Sequence, residues 1–184
     1  ASNKGLQNAT GKYVTFLGSD DILDKNAYQI LYHNAEKHNA EISMGKMILF
    51  DNKEKWCLKS HSSIFLNSRL SHIKNELGLI FNASPANKIF NLNFVKNNNI
   101  TYSNLRSHAD APFVIPLLFL SNKCYISYKS VYYWRQDSNN SQQITKNYNR
   151  IESIKDLNKS TKIINNFLES NNLRKYSISI NLKN

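Results

Sequence analysis

Two adjacent carboxylates, Asp20 and Asp21, follow the apolar, β-forming run Lys12-Tyr-Val-Thr-Phe-Leu17 after the step Gly18-Ser19. Acids placed just beyond a buried strand lie at the carboxyl edge of a sheet, where open α/β folds bind ligands. Hard cations such as Mg²⁺ or Mn²⁺ take carboxylate oxygens there together with substrate phosphates. The same residues can also serve a simpler purpose. Ser19, Asp20 and Asp21 precede a segment of helical spacing, and such side chains cap helices through hydrogen bonds and the helix dipole. From the residues alone both readings stand.

The elements that must position these acids alternate in type. The run 12–17, bounded by Gly11 and Gly18, reads as a buried strand. From Lys25 to Asn39 the apolar positions Ala27, Ile30, Leu31 and Ala35 recur at helical spacing with Tyr28 and Tyr32 beside them, so a helix follows the acidic loop. Ala40 to Phe50 predicts the next strand, Trp56 to Lys59 a return strand, and Asn67 to Leu79 a helix with Leu70, Ile73 and Leu77 on one face. Asn87 to Phe90 reads as a short strand and Leu92 to Lys96 as a helical turn. Asp110 to Leu120 is apolar enough for a buried helix, with Asp110 and Pro112 in its first turn and Pro116 expected to bend it. Cys124 to Trp134 predicts a strand, Gln136 to Gln143 a polar loop, and Ile151, Ile154, Leu157, Thr161, Ile164 and Leu168 one face of a long helix. This alternation favours an α/β layer arrangement.

Composition narrows the partners. With 184 residues the chain has the size of one ordinary domain. A hydrophobic fraction of 41% with nine Phe and ten Tyr argues against disorder. The formal charge of +11 is spread in singles and pairs. A spread excess attracts phosphate-bearing partners or, peripherally, an anionic membrane surface, whereas nucleic-acid modules concentrate their charge. Cys57 and Cys124 share no metal-ligand spacing with the histidines, so neither zinc nor a disulfide framework is indicated. No apolar run approaches the ~18–20 residues of a spanning helix, and no secretory leader is legible. The expected location is the cytoplasm, including the inner face of the membrane. The chain starts at Ala1 in mid-pattern, which predicts a piece of a longer protein.

The wider context weighs on the acidic pair. Ala1-Ser-Asn-Lys-Gly5, Ala9-Thr-Gly-Lys-Tyr-Val-Thr-Phe-Leu17 and Ser19-Asp-Asp21 together resemble the centre of family 2 glycosyltransferases of the GT-A fold, where the wording is close to A-R-N-x-G and then A-x-G-x-Y-I-x-F-L-D-S-D-D. Downstream, Asn87-Lys-Ile-Phe90 with Asn97-Asn-Asn-Ile100 is similar to the family's N-K-L-F and N-N-I. Asp110-Ala-Pro-Phe113 is similar to E-D-x-x-F, and Val131-Tyr-Tyr-Trp-Arg135 with Ser138 to Ser141 to the Y-Y-Y-R element and its serine-containing loop. Four segments in order, over roughly residues 1–145, are far more specific than any one.

The resemblance implies an α/β, GT-A-like domain with a Rossmann-like mixed sheet, here incomplete. Residues 1–145 would form its metal and acceptor half and 146–184 a C-terminal amphipathic helical segment, with the nucleotide-binding half missing. It implies metal-dependent, inverting transfer of a hexosyl or N-acetylhexosaminyl group from a nucleotide sugar, UDP-linked, to a hydroxyl of a surface glycan or lipid-linked saccharide. Asp20 would be the D-x-D carboxylate on Mn²⁺ or Mg²⁺, with Asp21 supporting it. Asp110 would be the general base. Arg135 and Ser141 would meet the donor diphosphate, where a planar cation and hydroxyls stabilise charge on departing UDP; Arg135 could equally be a surface residue ending a strand. Lys88 is either an acceptor contact or a surface lysine, and the tyrosines around Tyr132 read as core and cleft wall. Three positions depart from the pattern: Gly18 for Asp, Ser2 for Arg and Ala109 for Glu. They keep open a degenerate, inactive form, beside the other alternative of a non-catalytic basic module binding anionic polymer or nucleic acid.

Overall fold

The computed structural model describes residues 1–136 and 150–177, of which Arg150 is described by its backbone alone. In chain order the elements are α1 (Ser2–Asn8), β1 (Tyr13–Val14), β2 (Ile22–Leu23), α2 (Ala27–His38), β3 (Ile42–Phe50), β4 (Lys55–Trp56), α3 (Lys59–Ser62), β5 (Arg69–Ser71), β6 (Lys88–Asn91), α4 (Leu92–Asn97), α5 (Asp110–Leu120), β7 (Cys124–Arg135) and α6 (Arg150–Ser170). Short 3₁₀ turns occupy Leu77–Phe81 and Arg174–Tyr176.

The strands form one mixed sheet in the order β1-β6-β3-β7-β2, with β4 added to β3 and β5 to β7. The central pair β3 and β7 is parallel, and the other pairings are antiparallel. The β3–β7 register shifts on both sides of Lys46. Gly45 lies at that irregularity because a Cβ there would come within 2.5 Å of Val131 Cγ1 and 3.0 Å of the Lys129 carbonyl.

Alternation along the strands divides the core between the two faces. Ile42, Met44, Phe90 and Ile126 pack with α5 and with Ile164 and Leu168 of α6. Met47, Ile89 and Val131 pack with Ala27, Leu31 and Ala35 of α2. α5 is apolar on all sides and buried from Pro112 through Phe119, as a helix without a polar face must be. The expected mixed α/β layering is therefore what the chain adopts.

Local expectations fared unevenly. The strand expected over 12–17 pairs only at Tyr13–Val14, and Thr15 turns its hydroxyl onto the Lys88 carbonyl at 2.8 Å. The helix expected over 67–79 does not form. Leu70 pairs with Tyr125 of β7, and Glu76 accepts from the Arg69 guanidinium and, at 2.7 Å, from the Ser71 hydroxyl. Of the three residues expected on one buried face, Leu70 and Leu77 are exposed and only Ile73 is buried. Tertiary pairing overrode a three-residue coincidence of spacing. The long C-terminal helix does form, but turned: Asp156, Ser160, Ile164 and Leu168 face inward while Ile151 is 63% exposed. Residues 137–149, with the expected polar loop and Ser141, lie outside the described residues.

Candidate active site

Asp20 and Asp21 do not cap the following helix. β2 intervenes, the N-cap of α2 is Asn26, and Asp24 forms the turn before it, its carboxylate accepting from Asn26 N at 2.9 Å and its carbonyl from Ala27 N at 2.9 Å. Asp21 instead turns toward the end of β7. Its Oδ1 accepts from Arg135 N at 2.8 Å and its Oδ2 from the Tyr132 hydroxyl. Burial, followed by the hydrogen bond to Asp21, raises the Tyr132 phenol well above its ordinary pKa, so it stays a donor. Arg135 Nε donates to the Asp20 carbonyl at 2.9 Å, and its guanidinium lies 4.7 Å from the Phe50 ring centre. The acidic loop and the last residues of β7 are thus one hydrogen-bonded unit.

Gly18 belongs to this unit through space rather than backbone conformation. A Cβ at residue 18 would run into the Asp21 carboxylate and stand 3.2 Å from the Tyr132 hydroxyl. The Tyr132–Asp21 pair fills the space beside Gly18 that a side chain there would need.

Asp110 begins α5, and aromatic rings join that helix to the strand before the acidic loop. Phe16 meets Tyr102 and Phe113 edge-on at 5.0 and 5.3 Å between ring centres, and Tyr102 stacks on Phe113 at 4.3 Å. Asn3 fixes Tyr102 from 99 residues away, its amide donating to the Tyr102 carbonyl at 2.9 Å and its side-chain oxygen accepting from Tyr102 N at 2.8 Å. The Asp110 carboxyl opens to solvent, yet the protein crowding its concave surroundings weakens its hydration and raises its pKa; the charge of Lys88 opposes that shift.

Lys88 is neither a surface lysine nor an acceptor contact. It is fully buried, and its ammonium donates to the carbonyls of Asn82 at 2.7 Å and Ser84 at 2.6 Å and to Asn87 Oδ1 at 2.9 Å. Three donors meet three acceptors. Burial pushes its pKa down to about 7, with the nearby Cys124 and Asp110 acting the other way. Asn87, also buried, donates to the Gly45 carbonyl at 2.6 Å and to Asn82 Oδ1 at 3.2 Å. This network shapes the stretch Ser84–Ala86.

Gly18, Asp21, Tyr132, Ser84, Tyr102 and Asp110 line one cleft of about 560 Å³, together with Ser2, Arg106 and Trp134. The structure thus brings Asp21 and Asp110, from opposite ends of the sequence reading, to one space. Asp20 is exposed, and neither it nor Arg135 is among the residues lining the cleft; the Asp20 carbonyl accepts from Arg135 Nε. His108 is turned away to Ser153 Oγ, 3.1 Å from its Nε2. Among the described residues no three His, Cys, Asp or Glu side chains converge as a self-sufficient metal cage. A cation shared between one or two carboxylates and substrate phosphates needs no such cage, and the adjacent Asp20 and Asp21 fit that donor set. Sequence reasoning missed Asn3, Tyr132 and Lys88 as supports of the site, although all three lie inside the quoted motifs; side-chain identity gave no sign of which partner each would take.

Comparison with known proteins places the fold. The family model described as glycosyl transferase family 2 matches residues 1–97. The glycosyltransferases GlyA and GlyG of Streptococcus pneumoniae are 37% and 32% identical to this chain over 54 residues each, 29% of this chain and 8% and 18% of theirs. Among solved structures, TarS 1-349 of S. aureus in complex with UDP-GlcNAc superposes with a TM-score of 0.67 at 22% identity, over 96% of this chain and 52% of TarS. The same protein in complex with UDP superposes at 0.63, also at 22% identity, over 96% of this chain and 51% of that one. The chain spans about half the length of these solved chains and much less of the pneumococcal relatives. Likeness at this identity shows a shared fold.

Proposed function

The chain belongs to glycosyl transferase family 2, and from that premise we propose that it forms the acceptor side and the metal-and-diphosphate loop of an inverting, metal-dependent transferase acting on a nucleotide-sugar donor. The observation that carries this reading is the shared cleft: Asp21 and Asp110 line one space, with Asp20 next to Asp21 in the chain. The donor is taken to be UDP-linked, as in the TarS complex with UDP-GlcNAc. A hexose or N-acetylhexosamine fits the family, and the acceptor is a hydroxyl of a surface glycan or lipid-linked saccharide. The basic charge of +11 suits phosphate-bearing substrates and peripheral contact with an anionic membrane. Among the described residues no helix is long and apolar enough to cross a membrane.

In this mechanism Asp110 accepts the proton of the acceptor hydroxyl as that oxygen attacks the anomeric carbon and the carbon–diphosphate bond breaks. A pKa raised by its surroundings makes Asp110 a stronger base than an exposed aspartate. Asp20, with Asp21, would hold Mn²⁺ or Mg²⁺, which supplies positive charge for the leaving diphosphate. Tyr132 and the backbone of Arg135 keep Asp21 facing the cleft, and the Arg135 side chain holds the acidic loop against β7.

Calorimetric titration of Mn²⁺ and UDP into the full-length protein should release heat, and Asp20→Asn should weaken it; no heat and unchanged glycan product would sink the reading. Asp110→Asn should lower transfer at least about 100-fold while sparing UDP binding. In the unmodified protein, kcat/KM should fall as pH drops through the Asp110 pKa, on an acidic limb above the ordinary carboxylate range. Retained transfer in Asp110→Asn would remove it from the base role.

A further inference from the structure

The loop that delivers Arg106 and Asp110 to the cleft is held by α6. Asp156, 5% exposed, uses one oxygen, Oδ2, to accept from both Arg106 N at 3.0 Å and Ser107 N at 3.1 Å. Its Oδ1 lies 3.8 Å from the Lys159 ammonium. One turn earlier on the same helix, Ser153 Oγ meets His108 Nε2 at 3.1 Å. Three consecutive loop residues are therefore fastened to two positions of α6 spaced i, i+3, which share a helix face. His108 adopts φ 56°, a left-handed conformation uncommon for non-glycine residues. Asp110 begins α5 two residues later, and α5 and α6 pack against each other.

We propose that Asp156 is a positioning residue for the transfer reaction: with Ser153 it clamps residues 106–108 and thereby sets where Arg106 and Asp110 stand in the cleft. A buried carboxylate is costly unless hydrogen-bonded, and two backbone N–H donors answer one of its oxygens. α6 acts on catalysis through this bond pair without touching substrate. The proposal rests on Asp110 being the base, and its test separates the two.

Two substitutions at Asp156 are compared with Leu168→Ala, which empties a fully buried site on the same helix far from the loop. Misplacing a catalytic group by a fraction of an ångström to one ångström costs up to about 100-fold, so Asp156→Ala should lower kcat by about tenfold or more with donor KM nearly unchanged. Asp156→Asn keeps an acceptor oxygen for the same two N–H groups and should restore most of that loss. Leu168→Ala should lower thermal stability without a matching fall in the kcat of the folded fraction. A loss in Asp156→Ala no greater than in Leu168→Ala, or no recovery in Asp156→Asn, overturns the proposal. Amide hydrogen exchange at Arg106 and Ser107 reads the clamp without any assay: selective acceleration in Asp156→Ala and not in Leu168→Ala supports it, and equal exchange in the two overturns it. Absence of transfer by the unmodified full-length protein would count against the proposed function, and the exchange comparison would then decide the clamp alone.

Discussion

The acidic loop and the Asp110 loop line the same cleft but are held in different ways. Among the described residues, Asp20 and Asp21 are secured at the end of β7, which supplies the Tyr132 hydroxyl, Arg135 N and the Arg135 guanidinium. The Asp110 side is secured by supports scattered along the chain: Asn3 on Tyr102, Asp156 and Ser153 on residues 106–108, and buried Lys88 on the adjoining stretch Asn82–Asn87. The first arrangement is compact and partly open to solvent, and each residue's effect depends on the others. The second distributes its restraint over separate sites, each satisfied on its own. Substitutions should therefore be strongly coupled within the acidic loop and close to additive among the supports of Asp110.

The largest effect is expected at Lys88. Lys88→Met keeps the length of the stem but leaves two carbonyls and an Asn oxygen without their donor in a site closed to water, where each orphaned acceptor costs about 1–3 kcal/mol. A loss of about 3 kcal/mol or more in chemical unfolding is the expected outcome. In protein that remains folded, removing this charge takes away the opposing influence on Asp110, so the acidic limb of kcat/KM should move to higher pH. A stability change under about 1 kcal/mol would show that water replaces the ammonium, and the network would lose its place in the comparison.

How much of this was legible follows the same division. The acids themselves, Asp20, Asp21 and Asp110, carry their chemistry in their residue type and in ordered motifs, and the apolar run of α5 announces its burial. Their supports do not. Lys88 looks like any lysine until the chain folds three oxygens around it. Asn3 reaches its partner across 99 residues. Asp156 was hidden by a one-residue error in reading the inward stripe of α6, because Leu157 and Thr161 advertise an apolar face while the packed stripe runs through Asp156 and Ser160. The 67–79 segment failed for a related reason: spacing of Leu70, Ile73 and Leu77 is local, whereas the β5–β7 pairing that prevailed is not.

The smallest effects sharpen the comparison most. Gly18→Ala pushes a methyl into the Asp21 carboxylate and against the Tyr132 hydroxyl, and should cost about 1–3 kcal/mol through displacement of a packed charged group. Tyr132→Phe removes the phenolic donor, worth about 1.5–3 kcal/mol when its acceptor is charged, and also removes the oxygen that stands 3.2 Å from the new Cβ. Once Tyr132 has lost its hydroxyl, the Asp21 carboxylate is free to swing aside, so the double variant should be less damaged than the sum of the singles by at least about 0.5 kcal/mol. Gly18→Ala combined with Asn3→Ala has no such shared partner and should add within about 0.5 kcal/mol. Unfolding free energies of the three single and two double variants against the unmodified chain decide it. Equal coupling in both pairs would mean that the two loops respond as one unit through the Phe16–Tyr102–Phe113 rings, and that the cleft is a single elastic body rather than two separately anchored parts.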